Sequence, residues 1–146
     1  MPPGLSLSDF WYILPEIVLT IGSMVVLMAD LVVPRERRGV LTGLSIAMLA
    51  ATGAAILVVG SPDPRVTVSG GLLSIDAFAV FFKLLFLAAA ALTLLMSGPY
   101  LEVEETSAGA YCFLVLAATL GMMFMASGVE LVTIFIGLET MAVSFY

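Results

Sequence analysis

Histidine is absent from this 146-residue chain, and cysteine occurs once, as Cys112. Without a cluster of those residues there is no ligand set for a zinc or iron–sulfur site, and a lone cysteine cannot close an internal disulfide. Charge is scarce as well: Asp, Glu, Lys and Arg make up 11% of the residues, only 5 of them Lys or Arg, for a net charge of −6. A basic nucleic-acid surface is therefore excluded, as is a glycine-rich phosphate loop, for which no strand–helix context exists. What fills the chain instead is apolar. Hydrophobic residues account for 62% of it and the mean hydropathy is +1.19, so most of its surface is unsuited to water. The composition is that of a membrane protein. Cys112 lies inside an apolar run, where it reads as a buried, inert thiol.

Five apolar runs can be drawn, at residues 10–33, 40–60, 77–97, 109–126 and 128–146. A helix needs about 20 apolar residues to cross the hydrocarbon, so the chain has room for about five spans and no separate soluble domain. The expected fold is an all-α membrane protein with a single transmembrane region of about five helices. A β-barrel would show alternating apolar and polar residues, and these runs are apolar all round. The opening MPPGLSLSDF has no Lys or Arg, and the run behind it is too long for a secretory signal, so it reads as a retained first span.

The connections add detail. PRVTVSGGLL mixes β-branched residues with Gly-Gly and predicts a short hairpin at the surface, while Asp76 is placed to cap the third long helix. Arg35, Arg37 and Arg38 follow the first span and favour the cytoplasm, which puts the N-terminus outside. Gly39, Gly43, Ala47, Ala51 and Ala55 recur at every fourth position and predict close contact with a neighbouring helix of the same protein.

The internal charges are the candidate functional residues. Glu139 lies in LVTIFIGLETMAVSFY, about 16 Å into a hydrocarbon core about 30 Å thick. Ionised and alone there it would cost several kcal/mol at least, so it must be protonated, paired with a cation or beside water. Each solution makes it titratable in response to its neighbours, which is the chemistry of a proton relay; a permanently protonated Glu139 bonding two helices is the bland alternative. Thr133, Gly137, Thr140 and Ser144 form a small packing stripe, and Glu139 lies about 120° from it, taking 100° per residue. Lys83, in the third run, is a lesser relay candidate that could instead extend its stem to the outer surface. Glu16, behind Pro15, is a third candidate, with a water-facing boundary position as the alternative. Asp30 shares its face near the opposite end, and Glu130 reads as interfacial.

These residues also carry a resemblance. LPEIVLTIGSMVVLMADL, SIDAFAVFFKLLFLAAAALTLL and above all YCFLVLAATLGMMFMASGVELVTIFIGLETMAVSFY resemble the N-terminal part of subunit N of bacterial NADH-quinone oxidoreductase, respiratory complex I. The resemblance implies an antiporter-like subunit of about fourteen helices that helps couple quinone reduction to proton translocation across the bacterial inner membrane. The acid of the family's fifth helix matches Glu139, which would pair with a lysine of a later helix. Quinone would be the substrate of the assembly, FMN and iron–sulfur clusters would sit on other subunits, and this chain would hold no cofactor. Its partners would be the other membrane subunits and the bilayer. The chain is accordingly expected to be a fragment interrupted in its fifth helix, inactive alone, with Lys83 as the remaining candidate cation for Glu139. A cation/proton antiporter subunit of the same superfamily and a non-catalytic membrane scaffold remain as rival readings.

Overall fold

A computed structural model describes residues 7–34, 38–62, 64–103 and 107–146. In chain order it has α1 (Leu7–Tyr12), α2 (Leu14–Val32), α3 (Arg38–Val59), β1 (Val66–Val68), β2 (Leu73–Ile75), α4 (Ala77–Val103), α5 (Ala108–Ser127) and α6 (Leu131–Phe145). Four of the helices are long and apolar enough to cross a membrane; α6, with 15 residues, is shorter. The architecture is an all-α membrane bundle with one small hairpin.

The first apolar run is not one helix. Pro15 has no amide to offer the carbonyl four residues earlier, and the chain breaks at Ile13 (φ −92°, ψ 0°) before α2 begins. At the other end of the molecule's longest helix, α4 continues through Pro99 to Val103, past the expected stop near residue 97. Arg35 and Arg37 lie outside the described residues, so the charges that oriented the chain in the sequence have no structural account.

The hairpin forms where the sequence suggests. Val66, Thr67 and Val68 pair antiparallel with Ile75, Ser74 and Leu73, and Ser69, Gly70 and Gly71 turn the chain with φ of 56°, 71° and 97°. Only residues with little or no side-chain obstruction accept three such angles in a row. It is less superficial than expected: Val68, Leu73 and Ile75 are buried against Tyr12, Ile13 and Phe124. The amide of Val129 donates to the carbonyl of Leu72 at 3.0 Å, which ties the α5–α6 turn to the hairpin. Asp76 then caps α4, its Oδ1 accepting from the amide of Ala79 at 2.8 Å.

Helix α5 is central, packing against α2, α3, α4 and α6. Its contact with α6 is backbone against backbone. A Cβ built on Gly121 would lie 2.6 Å from the carbonyl oxygen of Gly137, and one on Gly137 would lie 2.7 Å from that of Gly121. The stripe containing Gly137 is thus the packing face of α6, as its small residues suggest.

The stripe on α3 behaves differently from expectation. Gly39, Gly43, Ala47 and Ala51 are exposed, and only Ala55 reaches the core. Four residues turn a helix by about 400°, so a strict four-residue repeat drifts about 40° per step and winds off any one face. The face that α3 buries is Leu41, Ser45, Leu49, Thr52 and Ile56, whose mixed spacing of four and three holds its line.

Candidate functional site

Glu16 and Lys83 meet inside the bundle. The break at Ile13 restarts the helix at Leu14, so Glu16 falls in the first turn of α2, where free backbone amides favour a negative charge. It shares a buried seam with Leu19, Ser23 and Val26. Lys83 occupies the corresponding inner seam of α4, with Ala79, Leu87, Ala90 and Leu94. Its Nζ stands 2.5 Å from Glu16 Oε1, and the two residues are 3% and 2% exposed. Lys83 therefore does not extend to the outer surface, and Glu16 does not face water. A buried anion at hand is the reason: carrying the ammonium outward would strand Glu16 in apolar surroundings.

The contact is an ion pair and not an aligned hydrogen bond. Neither Oε1 nor Oε2 of Glu16 has a hydrogen-bond partner among the described residues. A buried carboxylate ordinarily accepts several bonds, so Oε2 retains unused acceptor capacity. Chemically the site can hold two opposite charges together, or take up a proton on the free oxygen and leave Lys83 as a cation.

Glu139 is placed quite differently. It lies eight residues beyond Leu131, about 12 Å along α6, and is exposed together with Val132, Ala142 and Val143. Because Gly137 faces α5, Glu139, two residues on, points to the far side of α6. No described residue bonds or pairs with it. The expectation that Lys83 would serve as its cation fails, since Lys83 is committed to Glu16 and α5 stands between α4 and α6.

One polar junction was not anticipated. Asp30, near the end of α2, reaches the start of α5: its Oδ2 accepts from the hydroxyl of Ser107 and its Oδ1 from the amide of Gly109 at 3.2 Å. A Cβ on Gly109 would overlap Cβ of Asp30, so only glycine allows this approach. Cys112, one turn further on, is fully buried within reach of Ser45 and Thr42. The sequence held a trace of this line. Asp9, Glu16, Ser23 and Asp30 recur every seventh residue, a spacing that keeps side chains on one seam.

No family model matches the chain. Curated relatives do. It is 40% identical over its whole length to NADH-quinone oxidoreductase subunit N 1 of Koribacter versatilis. Over 95% of its length it is 38% identical to NADH-quinone oxidoreductase subunit N of an Anaeromyxobacter species, and over 92% it is 37% identical to that of Trichlorobacter lovleyi. The chain is a relative of subunit N. It spans 30%, 27% and 27% of the lengths of those three proteins, so the alignment with subunit N covers under a third of each. All five expected spans lie within the matched part.

Proposed function

We propose that the chain is part of a proton-translocating membrane subunit of a bacterial NADH-quinone oxidoreductase. In this reading it lies in the inner membrane with its N-terminus outside, and it assembles with the other membrane subunits of the complex. The observation that carries it is the alignment of the whole chain with subunit N, supported by an acid, Glu139, exposed on the apolar outward face of α6.

Glu139 is the central proton carrier. A carboxylate in apolar surroundings favours its neutral form, and an approaching cation reverses that preference. Moving a cation toward and away from the outward face of α6 would therefore load and unload the acid, which is the elementary step of a pump. Glu16 and Lys83 form a second, internally paired site whose charges balance within this chain. Quinone chemistry, FMN and iron–sulfur clusters belong to other subunits.

The test is Glu139→Gln in the intact subunit. Proton pumping by membrane vesicles should fall by about tenfold or more, the loss expected on removing one proton-transfer group, while assembly is retained. Full pumping with the glutamine would reject the relay; loss of assembly with unimpaired pumping per complex would make Glu139 a helix-bonding residue and favour the scaffold reading.

A further inference from the structure

A cavity of about 290 Å³ lies at the hairpin end of the bundle, lined by Ile13, Ser69, Leu73, Phe124, Thr133 and Ile136. Three observations converge on it. First, Ile13, the joint between α1 and α2 set by Pro15, forms part of its wall. Second, Glu16 stands one helical turn beyond Ile13, 2% exposed, with Oε2 unpartnered. Third, Asp9 stands one turn before Ile13, and its Oδ2 accepts from the amide of Ser69 at 3.4 Å on the cavity's rim. Asp9, Ile13 and Glu16 thus follow one another at steps of four and three along one side of α1 and α2: an acid bonded to the lining residue Ser69, an apolar residue in the wall, and a buried acid one turn beyond that wall.

We propose that this cavity is the vestibule through which water brings protons from the hairpin side of the membrane to the Glu16–Lys83 pair. The inference rests on the proton-carrying reading of the chain but concerns a different acid from Glu139. The seven residues from Asp9 to Glu16 rise about 10 Å, which a file of about three hydrogen-bonded waters spans. At the inner end a hydronium O–H bond breaks, an O–H bond forms at Glu16 Oε2, and a neutral water remains; Lys83 stays an ammonium throughout. Release reverses these steps. The lining is mostly apolar, with the Ser69 and Thr133 hydroxyls as its side-chain polar groups, so the vestibule holds water transiently and gates by drying. Ile13 is a positioning residue here, since it sets access without touching the proton.

The test uses membranes carrying the full-length protein. A charged, membrane-impermeant thiol reagent should modify Ile13→Cys and Thr133→Cys from the hairpin side, and should leave Leu19→Cys, one turn beyond Glu16, untouched. Proton uptake at Glu16 after a jump to acid pH, followed by the rise of the carboxyl infrared band that Glu16→Gln removes, should slow in Ile13→Trp and quicken in Ile13→Ser. Each change should be about tenfold, as for a barrier altered by the net worth of a hydrogen bond. An unreactive Ile13→Cys in a protein whose Ser69→Cys reacts would overturn the vestibule, and so would equal uptake rates in the Trp and Ser variants. Neither readout involves Glu139, so failure of this proposal and failure of the relay at Glu139 are separately visible.

Discussion

Breaking the Glu16–Lys83 pair from either side should cost far more than removing it whole. At 2% and 3% exposure neither residue benefits from solvent screening, so a partner left behind must be neutralised or remain as a buried charge. Neutralising an ordinary glutamic acid at pH 7 costs about 4 kcal/mol, and an ordinary lysine about 5 kcal/mol, at about 1.4 kcal/mol per unit between pKa and pH. These figures agree with the roughly 3–5 kcal/mol typical of halving a buried ion pair. Lys83→Met and Glu16→Gln should each lose about that much. The double variant leaves no buried charge and should lose only about 1–2 kcal/mol, because such pairs contribute little against packed neutral side chains. The coupling in a double-mutant cycle is then about 5 kcal/mol or more in magnitude. Reversible unfolding of the intact protein by detergent titration in mixed micelles reads all four states. Single losses below about 1 kcal/mol that simply add in the double variant would refute the pairing.

Two further outcomes test the packing. Gly121→Ala and Gly137→Ala each drive a methyl group into backbone that cannot move aside and should lose about 1–3 kcal/mol, whereas Gly43→Ala, with open space around it, should be neutral or gain up to about 1 kcal/mol in the same titration. Gly109→Ala should destabilise comparably, by about 1–3 kcal/mol, and Asp30→Ala should fail to rescue it, because the overlap includes Cβ of residue 30, which alanine keeps, as well as the carboxylate that it removes.

The sequence revealed which segments are helices more readily than which way they face. Runs of apolar residues, the Gly-Gly turn and the Asp76 cap are local signals, and each has its physical cause within a few residues of itself. Facing is set by contrast between sides of a helix, and α4 has almost none: it is apolar all round, so Lys83 could be assigned to either the surface or the core. Its seam with Ala79, Leu87 and Leu94 becomes visible only once α2 supplies Glu16. The α3 stripe misled for a related reason. Small residues permit close approach but do not compel it, and a four-residue repeat drifts around the helix faster than a partner can follow. The Asp30–Gly109 junction joins positions 79 apart, and no local pattern announces a contact of that range. By contrast the α6 stripe was legible, because Gly137 sits in the line of small residues that the neighbouring backbone requires.

Glu16 and Glu139 present the same physical problem, a carboxylate on an apolar helix, and the chain treats them in opposite ways. Glu16 is given a cation from another helix, and the pair is buried by this segment alone. Its nearest partner is therefore Lys83, at 2.5 Å, whatever packs against the outside of the bundle. Glu139 receives nothing from the described residues and is turned outward on a face with Val132 and Val143, so its partner is left to whatever meets α6. An acid whose neighbours can change can be loaded and emptied by their movement. In the proposed relay that difference, and not the depth of either residue, makes Glu139 the acid that depends on a partner outside this segment and Glu16 the one served by its own vestibule.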